Sequence, residues 1–236
     1  MRFVLERQQP EIRVIIPAFN EEKSIALVVR DIPKSWVKEI IVVNNASTDN
    51  TVDRAKEAGA TVLNEMTPGY GNACLKGISY ITEQHPQTDI VVFLDGDYSD
   101  YPDQIPLLVE PIIDHGFDMV IGSRALGKRE SGSMTFPQVF GNWLATTLLR
   151  LFYGVKYTDL GPFRAIGFKQ LQAIGMVDRD YGWTVEMQLK AAKHKLKTTE
   201  VAVNYKRRIG VSKVSGTVKG TVMAGYKILY TIFKYL

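Results

Sequence analysis

The stretch Asp89-Ile90-Val91-Val92-Phe93-Leu94-Asp95-Gly96-Asp97-Tyr98-Ser99-Asp100 decides the fold. Its apolar run has the length of a strand and is rich in Val and Ile, the signature of a strand buried in a parallel sheet. The run ends in two carboxylates one residue apart. In open α/β sheets, ligands bind at the carboxyl ends of the strands. Asp95 and Asp97 there offer hard oxygen ligands suited to Mg²⁺ or Mn²⁺ carrying a diphosphate. The plain alternative is a solvated turn, because Asp and Gly are ordinary turn residues. The surrounding sequence separates the two.

Upstream, residues 12–16 read as a first strand that stops at Pro17. Asn20 then reads as the N-cap of a helix carrying Ile25, Val28, Val29 and Ile32. Residues 39–43 form a second apolar run. A turn at 44–49, a helix through Ala58 and a terminal Gly59 follow. Residues 61–63 read as a third strand, and a helix runs from Gly69-Tyr70-Gly71 to about Glu83. That glycine pair is not a dinucleotide fingerprint: it lacks a third glycine and does not follow the first strand. Downstream come a helix over 103–114 and a strand over 119–122. Four rounds of strand and helix predict an α/β fold, a mostly parallel sheet flanked by helices with right-handed crossovers. Its functional loops would be 17–21, 44–49, 95–100 and 123–124, all with polar or charged residues.

The second half is less regular. Residues 139–153 are apolar, but too short, and interrupted by Arg150, for a membrane-spanning helix. Residues 159–166 read as a turn and strand, 181–192 as a turn and helix with Val185, Met187 and Leu189 partly buried, and 198–204 as a strand. Over 214–236, Val218, Val222, Tyr226, Leu229, Phe233 and Leu236 share one helical face, and Lys219, Lys227 and Lys234 another. That pattern suits an interfacial membrane helix; it also suits a helix docked on the core with snorkelling lysines.

With 236 residues, 45% of them hydrophobic, the chain can bury one sizeable core. The single cysteine, Cys74, excludes an intramolecular disulfide and reads as a small buried residue. The first residues lack the apolar core of a signal peptide, so export is not expected. After Glu200 there are seven Lys or Arg and no acid; since the whole chain is +4, the remainder is −3. The tail therefore expects an anionic partner. A membrane suits it better than nucleic acid, because the basic residues alternate with an apolar stripe and no recognition motif is present. Arg124, just after a strand, can pair bidentately with phosphate. Lys206-Arg207-Arg208-Ile209-Gly210-Val211-Ser212-Lys213 reads as a basic loop able to close over a diphosphate.

Six segments carry a resemblance to a known family: Ile16-Pro17-Ala18-Phe19-Asn20-Glu21, Asn45-Ala46-Ser47-Thr48-Asp49, Asp95-Gly96-Asp97, Gly122-Ser123-Arg124, Gly161-Pro162-Phe163-Arg164 and Gly210-Val211-Ser212-Lys213. In this order and over nearly the whole chain, the sequence resembles a family 2 glycosyltransferase of the dolichyl-phosphate mannose synthase-like group. The resemblance implies a GT-A fold, a nucleotide-diphosphate sugar donor, inversion at the sugar carbon and a polyprenyl-phosphate acceptor at the cytoplasmic face of the membrane. By position it implies that Pro17, Phe19, Glu21, Val43 and Asn45 hold base and ribose. Asp95 and Gly96 would contact the nucleotide, and Asp97 would bind the metal. Arg124 would meet phosphate, and Arg207 and Lys213 would come from the closing loop.

The chain departs from the group's pattern in three places. Asn44 and Asn45 replace acids. Ser99 replaces a Gln that follows the second motif Asp, leaving Ser99, water or Asp100 to complete the metal shell of Asp95 and Asp97. Val139 replaces an acceptor-phosphate arginine, a role Lys128 or Arg129 would have to take.

On this reading the lipid phosphate is already anionic and needs little general base. His85, His115 and His194 then stay ordinary surface residues. Glu186 is the base if the acceptor is a hydroxyl, and otherwise orients the sugar. Trp183 stacks on the sugar or sits in the core. The expected organisation is a glycosyltransferase domain over 1–213, with a nucleotide-binding half at 1–124 and an acceptor half at 125–213, and an interface helix at 214–236. The protein is expected to be peripheral on the inner face of the cell membrane, with a membrane-protein partner open. The alternatives are a glycosyltransferase acting on a soluble or protein hydroxyl, and a non-catalytic nucleotide-sugar-binding protein.

Overall fold

The structure, a computed structural model, describes residues 9–210 and 218–236. In chain order the elements are β1 (Ile12–Ala18), α1 (Ile25–Asp31), β2 (Glu39–Asn44), α2 (Thr51–Glu57), β3 (Thr61–Asn64), α3 (Tyr70–Gln84) and β4 (Ile90–Phe93). A 3₁₀ turn (Pro102–Gln104) leads into α4 (Ile105–His115) and β5 (Met119–Ser123). Then come α5 (Phe136–Tyr153), β6 (Arg164–Gly167), α6 (Phe168–Ile174), α7 (Trp183–Lys193), β7 (Thr198–Ala202) and α8 (Val218–Lys234).

Among the described residues the strands form one sheet in the order β3-β2-β1-β4-β6-β5-β7. β1, β2, β3 and β4 pair in parallel, as the alternation requires. β6 is inserted antiparallel between β4 and β5, making the sheet mixed. Its short Arg-Ala-Ile-Gly run carries no directional signal that sequence could supply. Both faces are covered, and the strands' period of two divides the core between them. Ile15, Ile41, Val43, Val91 and Phe93 pack on one side with residues of α3, α5 and α7. Val14, Ile16, Val42, Val92 and Leu94 pack on the other, with α1 and α4. Val185, Met187 and Leu189, expected half-buried, are fully buried.

Two local expectations are corrected. β1 does not stop at Pro17; the strand runs through it to Ala18, with Pro17 opposite Val43. Asn20 does not cap a helix. It sits at φ 54°, a left-handed geometry that Asn tolerates, and the helix begins only at Ile25. The Asn20 side chain instead accepts from the Thr48 amide at 2.8 Å, binding the first loop to the second.

From β3 the chain crosses β2 and β1 to reach β4. The strand order therefore reverses between β1 and β4, where open α/β sheets form their binding crevice. The loops after those two strands face each other there. No helix among the described residues is long and apolar enough to cross a membrane.

Candidate active site

The loops at this end are laced together. Asn20 N–H donates to Ser47 Oγ at 3.0 Å, Glu21 N–H to Thr51 Oγ1 at 2.8 Å, and Asn45 N–H to the Ala18 carbonyl at 2.8 Å. Pro17 and Val43 are buried beneath these loops, whereas Phe19 is 43% exposed at the mouth, where an aromatic face is available for stacking. Glu21 is buried and accepts from Ser24 Oγ at 2.8 Å.

Asn45 was expected to read the base, but its amide is committed to the main chain. Its Nδ2 donates to the Glu65 and Thr67 carbonyls at 3.2 and 2.8 Å, and its Oδ1 accepts from Gly69 N–H at 2.8 Å. It clips the loop between β3 and α3. Asn44 likewise bridges Asn64 and Ser47. The Gly69–Gly71 pair serves packing: a Cβ on Gly71 would collide with the backbone of Asp178 and Arg179.

Leaving β4, the chain brings three carboxylates together. Asp95 accepts from Tyr70 Oη at 3.0 Å. A Cβ added at Gly96 would meet the Pro17 carbonyl at 3.4 Å. Asp97 is buried, and its Oδ1 accepts from the Ser99 amide at 2.9 Å and from the Ser99 hydroxyl. Ser99, expected as a metal ligand, holds Asp97 through these two bonds. Tyr98 between them adopts φ 63°, a conformation a bulky residue holds only under constraint. Its hydroxyl donates to Asp31, and Lys206 Nζ lies 3.2 Å from its ring centroid.

Asp100 is buried, and neither carboxylate oxygen finds a hydrogen-bond partner among the described residues. Burial first, then the charge of Asp97, pushes the Asp95 carboxyl above its ordinary range. Burial, then Asp95, does the same to Asp100. Crowded, under-neutralised carboxylates suit a hard divalent cation. Among the described residues no three His, Cys, Asp or Glu side chains form a full cage. That also fits Mg²⁺ or Mn²⁺, which take one or two carboxylates and complete their shells from water and substrate phosphates. Asp97, with Asp95 beside it, would hold such an ion.

Arg124 was expected on phosphate. It lies at the end of β5, and its guanidinium grips buried Asp159 through Nε and Nη2 at 2.8 and 2.7 Å. Its backbone amide donates to the same carboxylate, and the Tyr205 ring stacks 5.0 Å from its Cζ. Burial alone would raise the Asp159 carboxyl; the adjacent guanidinium outweighs it and holds the group below the usual range. Arg164 of the Gly161–Arg164 segment is fully buried and donates to the Gly161, Leu160 and Thr184 carbonyls. It anchors the turn that presents Asp159.

The basic loop supplies a different arginine from the one expected. Arg207 turns away: its Nε donates to the Ser131 carbonyl at 2.7 Å and its amide to Glu130 at 2.9 Å. Arg208 instead pairs with Asp97 Oδ2 and lies 3.9 Å from Glu21. Lys213 lies outside the described residues. Lys128 and Arg129 stand beside Tyr205 and Met134, and Val139 is exposed on α5.

Glu186 and Trp183 belong elsewhere. Glu186 is fully buried in α7; it accepts from the Val177 and Asp178 amides and the Tyr235 hydroxyl, and pairs with Lys190 at 3.0 Å. It ties α7 to Tyr235, and among the described residues no hydrogen bond or ion pair joins it to the carboxylate cluster. Trp183 is a core residue, edge-on to Phe93 at 5.9 Å. Cys74 is buried, as expected. His85 pairs with Glu39 at the opposite, amino-terminal end of β2.

The family model for glycosyl transferase family 2 matches residues 13–175. The chain belongs to this family. Among its family relatives, an uncharacterised glycosyltransferase of Mycobacterium tuberculosis is 34% identical over 216 residues, covering 90% of this chain and 94% of the relative. An undecaprenyl-phosphate mannosyltransferase of Micrococcus luteus is 30% identical over 224 residues, covering 89% of each. Among solved structures, glucosyl-3-phosphoglycerate synthase of M. tuberculosis, in complex with Mn²⁺, UDP-glucose and phosphoglyceric acid, superposes with a TM-score of 0.76. It is 23% identical, and the match covers 96% of this chain and 79% of that one. The expected GT-A fold is thereby shown, and the chain is a family 2 glycosyltransferase.

Proposed function

We propose that this glycosyltransferase moves a sugar from a nucleoside-diphosphate sugar to a polyprenyl phosphate, working on the inner face of the cell membrane. The observation that carries the acceptor is an exposed apolar face shared by α5 and α8. On α5, Phe136, Phe140 and Trp143 are 81, 50 and 58% exposed; Phe140 stacks on Phe136 and lies tilted against Trp143 at 5.8 Å. On α8, Val222, Tyr226 and Phe233 are also exposed, and Phe233 meets Phe152 of α5 at 5.7 Å. Lys234 lies beside that stripe, as on a helix lying in a bilayer surface, while Lys227 pairs with Asp178 at 3.1 Å. The opposite side of α8 docks on the core through Ile228 and Ile232. The docked-helix expectation thus describes this side of α8, and the interfacial role proposed here concerns the exposed side. The Micrococcus relative, whose name specifies undecaprenyl phosphate, supports the same acceptor.

The chemistry follows from the cluster. A non-bridging oxygen of the lipid phosphate attacks the anomeric carbon. The bond from that carbon to the diphosphate oxygen breaks, its electron pair leaves with the nucleoside diphosphate, and the configuration inverts. A divalent ion held by Asp97 would supply charge to the departing diphosphate. Arg208, which pairs with Asp97, adds positive charge. The attacking phosphate is already anionic, so no base is required, in keeping with the confinement of Glu186 at the α7–α8 interface.

A second reading, transfer to a soluble phosphorylated acceptor, draws on the phosphoglyceric acid bound by the structural neighbour. The test is a transfer assay with Mg²⁺ or Mn²⁺, polyprenyl phosphate and each labelled sugar nucleotide in turn. Label entering the organic phase, released by mild acid, supports the proposal. Donor turnover without organic-phase label rejects it.

A further inference from the structure

We infer that Arg208 is a resident counter-cation that claims the same carboxylate as the metal ion, and that donor diphosphate must draw it away before the metal binds tightly. This rests on the nucleotide-sugar reading of the site. Arg208 is set in place by more than its ion pair with Asp97. The Lys206 amide donates to the Ser99 carbonyl at 2.9 Å, and the Ile209 amide to the Asp97 carbonyl at 3.0 Å. Tyr205 bridges to Asp100, and Lys206 lies over the rings of Tyr98 and Tyr101. Residues 205–209 are thus fastened along the carboxylate turn, with the guanidinium directed into it.

The charges there explain why. Asp95, Asp97 and Asp100 are crowded in a region that burial keeps from water, and Arg208 lowers the cost of charging Asp95. Asp97 Oδ1 is occupied by Ser99, so Oδ2 is the oxygen a metal ion would take, and Arg208 holds it. Two cations cannot share that oxygen at close range without repulsion. Arg208 also has somewhere to go. Its Nε is buried with no hydrogen-bond partner among the described residues, so the pairing with Asp97 leaves one of its donors unused. A diphosphate offers a guanidinium fork several oxygens at once. Donor binding would exchange an arginine–carboxylate pair for an arginine–diphosphate pair and open Asp97 Oδ2 to the metal.

Metal and donor are then thermodynamically coupled, each tightening the other by the same factor. Mn²⁺ binding to the folded protein, measured by the loss of the free-ion electron paramagnetic resonance signal, reads this without catalysis. UDP and GDP serve as probes. In the unsubstituted protein, saturating nucleoside diphosphate should tighten Mn²⁺ binding by roughly tenfold or more. In Arg208→Gln, Mn²⁺ alone should bind tighter by a similar factor, and the added effect of nucleotide should shrink. Arg208→Lys keeps the charge and should keep weak binding of Mn²⁺ alone. Arg207→Gln, whose guanidinium faces Ser131, should match the unsubstituted protein. If Arg208→Gln, folded by circular dichroism, binds Mn²⁺ alone no tighter than before, the inference fails while the site reading stands. If the unsubstituted protein binds neither Mn²⁺ nor nucleotide, both fail.

Discussion

The two ends of this molecule's reaction path are built differently. At the donor end, loops after β1, β2 and β4 are cross-tied by side chain to backbone hydrogen bonds, and the functional carboxylates are buried among them. Across α5 and α8, the surface is a run of exposed rings. A preorganised polar pocket suits a ligand whose charges must be met at fixed positions. An exposed apolar face suits a partner that is itself fluid and needs only area. On the proposed function, chemistry belongs to one region and location to the other, and substitutions should separate them.

The largest effect is expected at the donor end. Asp97→Asn should lower metal-dependent transfer by about 100- to 1000-fold, on the scale of losing one preorganised charge contact. Its thermal unfolding should stay close to that of the unsubstituted protein. Undiminished transfer would remove Asp97 from the mechanism. Next comes the support beneath that site. Asp159→Ala strands the buried Arg124 guanidinium and should cost about 3–5 kcal/mol in urea unfolding. A loss near zero would show that Arg124 finds another partner.

At the apolar face, the double substitution Trp143→Ser and Phe233→Ser should weaken binding to anionic vesicles by about 10- to 100-fold, from the apolar area withdrawn. Nucleotide binding should be unaffected. If nucleotide binding fell and vesicle binding did not, the division between the two regions would be wrong. The smallest effect on chemistry is expected at Glu186. Glu186→Gln should lower stability by about 1–3 kcal/mol, because it weakens a buried hydrogen-bond set, with transfer little changed. A collapse of transfer with unchanged stability would restore it as a base.

The same contrast describes what could be read from the sequence. Strands β1, β2, β4 and β5 were legible because buried strands leave continuous apolar runs. Asp95 and Asp97 were legible because a strand end fixes their place. The antiparallel insertion of β6 was not, since a four-residue strand states no direction. Contacts between distant segments were also hidden. Arg207 and Arg208 are neighbours with the same side chain, and only the ties of residues 205–209 to the carboxylate turn decide which one faces Asp97. Asn45 sits where a base reader belongs, yet the β3–α3 loop consumes its amide. Glu186 had the chemistry of a base and was already bonded to Tyr235 of the tail. Asp159 and Tyr70 carried weak cues, an acid before Gly-Pro-Phe-Arg and an aromatic between two glycines.

The most direct test of the central claim is a competition between acceptors. The protein, Mn²⁺ and one labelled sugar nucleotide that it turns over would meet polyprenyl phosphate in anionic vesicles and 3-phosphoglycerate in solution, in the same tube. The account predicts acid-labile label in the lipid fraction, abolished with the vesicles and reduced by the Trp143→Ser, Phe233→Ser pair. Label accumulating on the water-soluble acceptor, indifferent to vesicles and to those two substitutions, would contradict it.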